Sequence, residues 1–234
     1  MTCISCSHIH NEKYCPNCGE YSGTKKITIN SIIEGAFSTV TNMDKGFLFN
    51  LKALFLDPRI IIDQFVKGKR KGILNPISYL IISITIYLIV ITVFKEAPKE
   101  LADTNIEVKS AGEKIGNAIG YFIRKYIKYF WILSVIPLGL SLRIIYKKYN
   151  FLEHVAVSSF VIGHATLIGV ISHLIFKFPL ILDPIVYIAI TWMIYRVFKY
   201  ERSSIESVLL AIVALLLFII QLVVIIVALT FIII

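Results

Sequence analysis

The chain changes character twice along its length. Residues 1 to 23 are polar, residues 24 to 75 mix apolar and polar positions at a helical period, and long apolar blocks dominate from residue 76 onward. In the middle stretch Ile32, Ile33, Phe37 and Val40, then Phe47, Leu48, Leu51, Leu54 and Phe55, recur at threes and fours, the spacing of one helix face. This predicts amphipathic helices, cytoplasmic or interfacial, too polar to span a bilayer. Asp57-Pro58 sets a capping acceptor ahead of a proline whose missing N–H costs nothing in a first turn. A helix should start there, run to about Val66 and end at Gly68.

Five apolar blocks follow, at 77 to 94, 127 to 145, 155 to 176, 180 to 198 and 208 to 234. Each is near or above the roughly 20 residues that cross a hydrocarbon core about 30 Å thick. Lipid offers backbone groups no partners, so such blocks must be helices unless they close a barrel, and unbroken apolar runs lack the alternation of a barrel strand. The expected fold is an all-α integral membrane protein of about five transmembrane helices (76–234), preceded by amphipathic helices (24–75) and a small Cys-rich unit (1–23). Composition agrees: 57% of the 234 residues are apolar, and the mean hydropathy is +0.78. The only long polar connection, 95 to 120, reads as an exposed loop.

Charge changes the picture through its placement. A net +9 would suit nucleic acid, an anionic lipid surface, or loops that orient helices. Lys67, Lys69, Arg70 and Lys71 precede the first block, Arg143, Lys147 and Lys148 follow the second, and Arg196, Lys199 and Arg202 follow the fourth. These are alternate ends, so the positive-inside rule puts all three clusters in the cytoplasm, with the N-terminus there and Ile234 on the far side of an inner membrane. No short apolar segment with a small-residue cleavage site opens the chain, which keeps the first region on the synthesis side. Arg124, Lys125 and Lys128 then fall outside, beside an aromatic belt of Tyr121, Tyr126, Tyr129 and Trp131. The run Lys67–Lys71 serves as a positive-inside anchor or a lipid-headgroup site. It lacks interleaved aromatics for base stacking, so nucleic acid is not the expected partner.

The most specific chemistry is at the start. Cys3-x-x-Cys6 and Cys15-x-x-Cys18 are two turns that each aim a pair of thiolates at one centre, the donor set of a closed tetrahedral zinc site. Gly19 after the second turn can take a positive φ, as a tight knuckle requires. Two disulfides would need an oxidising compartment, and a redox pair of the thioredoxin kind would need a βαβ context. A metal closed by four thiolates is structural, and His8 and His10 read as exposed spacer residues. Such a knuckle could dock a cytoplasmic protein partner.

The third block carries three histidines. His154, Ser158, Ala165, Thr166, Gly169, Ser172 and His173 share one stripe, a small and polar face that lets a helix approach closely. His164 stands apart from it. The stripe packs against a neighbour or, with Glu153 at its cytoplasmic end, forms a polar membrane site (Glu153, His154, Ser158, His173) for a transporter or membrane enzyme. Asp183-Pro184 reads as a cap or turn, and Gln221 as a hydrogen-bonding residue within its span. No nucleophile with a base, paired catalytic carboxylates or phosphate-binding glycine loop is present.

CPNCG at 15 to 19, MDKGFLFNLKALFLDPRIIIDQFVKGKRKGILNP at 43 to 76 and the Glu153-His154 pair resemble an uncharacterised family of bacterial multi-pass membrane proteins with an N-terminal four-cysteine zinc ribbon. The resemblance implies the fold and the membrane location, and it implies no reaction. It would place further histidines about two turns after the Glu-His pair, where this chain has Phe160 and Ile162.

Overall fold

A computed structural model describes residues 1–21, 47–94, 131–199 and 203–233. The expected helix over Ile32, Ile33, Phe37 and Val40, the 95–120 loop, Arg202, Ile234 and the tyrosines and basic residues of 121–129 lie outside the described residues. Within them the protein is helical, with only isolated β-bridges at the N-terminus. The helices are α1 (Phe47–Leu56), α2 (Pro58–Val66), α3 (Pro76–Val93), α4 (Val135–Ile145), α5 (Phe151–Phe176), α6 (Pro184–Phe198) and α7 (Ser204–Ile233).

Local chemistry sets most boundaries. Pro58, Pro76 and Pro184 each open a helix, and the Asn75 and Asp183 side chains accept from the N–H two residues on. Asp57 makes no such bond, contrary to expectation. Gly68 ends α2 in the left-handed region at φ 107. The third apolar block starts four residues earlier than expected, at Phe151, because Asn150 and Glu153 close a capping box: each side chain accepts from the other's backbone N–H at 2.8 Å.

Among the described residues three helices are long and apolar enough to cross a membrane: α3, α5 and α7, the last over Ser204–Leu229. The block expected at 180–198 is divided instead. Leu180–Leu182 form a 3-10 turn, and Pro184 with its Asp183 cap restarts the chain as a 15-residue helix. At 1.5 Å per residue α6 is about 22 Å long, shorter than the hydrocarbon core. The apolar segment Trp131–Ile145 is similarly short within the described residues.

Helix α5 is the centre of the bundle. A Cβ at Gly163 would lie 3.2 Å from Leu80 Cα, a Cβ at Gly139 3.2 Å from Val155, and a Cβ at Gly169 2.8 Å from Val186, so α3, α4 and α6 all press onto α5 at small residues. Leu80 faces Gly163 and Tyr87 faces His173, so α3 runs parallel to α5. Trp131 bonds Thr166 and Gly139 meets Val155, so α4 runs antiparallel. Val186 near Gly169 and Phe198 against His154 make α6 antiparallel too. With a neighbour on several sides, α5 has no single packing stripe: Val157, Ser158, Phe160, Val161, Ile162, Ala165 and Thr166 are all fully buried.

Candidate metal centre

The first twenty-one residues build two copies of one turn. In the first, the Cys3 N–H donates to the His8 carbonyl (2.9 Å) and the Ser7 N–H to the Cys3 carbonyl (2.9 Å). In the second, the Cys15 N–H donates to Glu20 (2.8 Å) and the Gly19 N–H to Cys15 (2.7 Å). The residue after each second cysteine is left-handed, Ser7 at φ 60 and Gly19 at φ 72. The glycine was legible in the sequence; the serine in the equivalent place was not. Antiparallel bridges Thr2–Ile9 and Tyr14–Tyr21 close the two turns.

This arrangement brings the four thiols together. Cys3 Sγ lies 3.5 Å from Cys18 Sγ, and Cys6 Sγ 3.5 Å from Cys15 Sγ. All four sulfurs fall within 4.8 Å of one another, and all four cysteines are unpaired thiols. A tetrahedral tetrathiolate site with metal–sulfur bonds of about 2.3 Å has sulfur–sulfur edges of about 3.8 Å, within this spread. The electrostatics also favour a cation. The His8 backbone hydrogen bond pulls the Cys6 thiol down. The Glu20 backbone bond acts on Cys18 in the same direction, but burial and the neighbouring sulfurs outweigh it and push that thiol up. Four thiolates this close repel one another, and a metal ion removes the repulsion. The site can therefore hold a metal ion.

Of the two spacer histidines, His8 is exposed and His10 is buried. The difference from expectation arises because the Met1 ammonium donates to the His10 carbonyl at 2.8 Å and folds the spacer back over the unit.

Glu20, which no pattern in the sequence singles out, ties this unit to the rest of the chain. Glu20 is only 6% exposed. One carboxylate oxygen accepts from the Ser5 hydroxyl at 2.5 Å and from the Lys71 backbone N–H at 3.0 Å. The Lys71 ammonium lies 3.6 Å from where a Gly19 Cβ would stand. The basic turn 67–72 is thus the platform on which the cysteine unit sits. Lys67 and Arg70 have protein partners as well. Lys67 pairs with Asp63 at 2.5 Å, and the Arg70 guanidinium stacks 4.0 Å above the Phe65 ring while donating to the Phe65 carbonyl.

The polar residues of α5 do not gather into one site. Glu153 is used in the capping box, and the Ser158 hydroxyl donates to the His154 carbonyl one turn back. His173 Nδ1 sits 2.8 Å from the Phe178 carbonyl. His154 is fully buried between the rings of Tyr149 and Phe198, at 5.7 and 5.9 Å. Neither of its ring nitrogens has hydrogen-bond geometry to a partner among the described residues. The histidine that does bridge helices is His164, whose Nδ1 is 3.1 Å from the Tyr79 hydroxyl of α3. Its place off the small face had hidden it.

Residues 44–88 match a family model described as a protein of unknown function (DUF3667). The match covers α1, α2 and most of α3 and leaves the cysteine unit outside it. No curated protein and no solved structure matches the chain.

Proposed function

We propose that this is a multi-pass protein of the bacterial inner membrane that displays a structural zinc knuckle on the cytoplasmic face, where the knuckle docks a protein partner or organises the membrane surface. The observation that carries the reading is the four-sulfur cluster seated through Glu20 on the basic turn. Zinc is the common ion for a closed four-thiolate site in a reducing compartment, and with no open coordination position it serves folding and not catalysis. The cytoplasmic placement rests on the basic clusters at alternate helix ends, to which the alternating directions of α3, α4, α5 and α6 add support.

One observation favours a second reading, a transporter or membrane enzyme. His154 is buried, its ring nitrogens make no hydrogen bond of good geometry beyond the approach of the Tyr146 backbone, and such groups are costly inside an apolar bundle. Against it, Glu153, Ser158 and His173 already have partners within the chain.

The test is metal content and topology in one series. Purified full-length protein should carry one zinc per chain, lost in Cys15→Ser/Cys18→Ser, which should still insert normally. A reporter before Met1 should be cytoplasmic and one after Ile234 external. Deleting residues 1 to 23 should remove a cytoplasmic partner from an in-cell crosslinking comparison at unchanged membrane level. Purified protein without zinc and with its thiols paired would overturn both the metal and the cytoplasmic placement. Retention of every crosslinked partner would overturn the docking role.

A further inference from the structure

The apolar outer surface of the bundle includes Ile136, Leu140 and Ile144 of α4. Ile144 is two residues from Tyr146, whose ring stacks on Phe198 at 4.1 Å, which in turn lies 5.9 Å from His154. The outward apolar belt therefore reaches down to the level of His154 on α5. Helix α1 meets α5 well inside that limit. The Phe55 ring is 6.0 Å from His164 and 6.2 Å from Trp192, and Phe47 stacks 5.3 Å from Tyr79, the hydrogen-bond partner of His164. His154 and His164 are ten residues apart on one continuous helix, about 15 Å along its axis.

At that depth α1 turns large apolar side chains away from the protein. Leu48 is 75% exposed, Phe55 59% and Leu56 63%, and Ile60 of α2 is 52% exposed. Lys52 is the one charge in α1, and the Arg196 guanidinium donates to the Leu56 carbonyl at 3.0 Å, which draws the C-terminal end of α1 toward the basic end of α6. A ten-residue helix, about 15 Å long, is too short to span, yet its packing partners sit within the span of α5.

Resting on the membrane reading and orientation proposed above, we propose that α1 is embedded in the inner leaflet beside α5, and that its outward face of Leu48, Phe55 and Leu56 contacts lipid acyl chains. The occupant follows from position: the surface flanking α1 at the same height is the apolar surface of the spans, which faces hydrocarbon. A helix inserted from one side only displaces lipid in that leaflet alone, a direct means of acting on membrane curvature or packing.

The test uses the full-length, metal-loaded chain in vesicles of phosphatidylethanolamine and phosphatidylglycerol. Photoreactive benzoylphenylalanine is placed singly at Leu48, at Ile81 on the outer face of α3 and at Ile9 of the cysteine unit. Leu48 should give lipid adducts as abundantly as Ile81 and several-fold above Ile9. Adducts with a second copy or another protein, or none above Ile9, would overturn the proposal. If that substitution impairs folding, Phe49→Trp in an otherwise unaltered chain gives a second measure. The added fluorescence should be quenched by lipids brominated midway along the acyl chain and not by aqueous acrylamide, and the opposite result overturns the proposal.

Discussion

Gly163→Ala probes the tightest approach between the central helix and the first long apolar helix. A Cβ there would stand 2.9 Å from Tyr79 Cδ1, 3.1 Å from Cε1 and 3.2 Å from Leu80 Cα. Carbon pairs are comfortable at about 3.5 to 4.0 Å, so α3 must withdraw by about half an ångström. The Tyr79 ring cannot simply swing away. It is fully buried, its hydroxyl is bonded to His164, and Phe47 and Phe160 lie against it at 5.3 and 5.8 Å. Overpacking a tight site costs typically 1 to 3 kcal/mol, and loosening an interhelical hydrogen bond adds about 0.6 kcal/mol. The expected loss is about 2 kcal/mol. Gly169→Ala is the control. Its Cβ would come closer still, 2.4 Å from Leu180 Cδ1 and 2.8 Å from Val186 Cγ2, but both are side-chain ends and Leu180 belongs to a short 3-10 turn that can shift. The control should lose less than half as much. Reversible unfolding in mixed micelles, followed by helix content, measures both. If Gly163→Ala equals the parent, or costs less than Gly169→Ala, α3 and α5 are not packed backbone to backbone as described.

Two further outcomes concern the Lys67–Lys71 turn and the helix that precedes it. Glu20→Ala removes the acceptor of the Lys71 N–H; a hydrogen bond to a charged group is worth about 1.5 to 3 kcal/mol, so the Lys71 amide should exchange about 10- to 100-fold faster while metal content stays unchanged. Unaltered protection of that amide would refute the docking of the cysteine unit on the turn. At Asp63, burial opposes ionisation, but the Lys67 hydrogen bond and the charges of Lys67 and Lys148 outweigh it and hold the carboxyl below its ordinary 3.8. A lowered folded pKa gives stability that is present above the ordinary value and lost as pH falls through the folded one. Asp63→Asn should therefore be less stable than the parent at neutral pH, with the difference shrinking in acid. A gap that does not change with pH would refute the ionic role.

Much of this architecture is written in the order of residues. Prolines 58, 76 and 184, Asn75, Asn150 and Gly68 act on their own neighbours, so helix starts and stops follow from local chemistry. Apolar blocks of membrane length announce helices because lipid leaves the backbone no alternative. The Cys-x-x-Cys pairs announce a metal-binding set because a turn of that length can aim two sulfurs only one way. What required the tertiary structure was every relation between elements distant in the chain. Glu20 and Lys71 are 51 residues apart, and Tyr79 and His164 are 85. Neither pairing leaves a periodic signal, since each depends on which helices become neighbours. The division of the 180–198 block shows the boundary between the two kinds of information. Asp183-Pro184 was visible as a cap, but the packing of Leu180 and Val186 against Gly169 fixes where the 3-10 turn meets the central helix. The depth of α1 belongs to the same class, because amphipathic spacing reveals a two-faced helix and only its contacts with His164 and Trp192 place that helix beside the middle of α5.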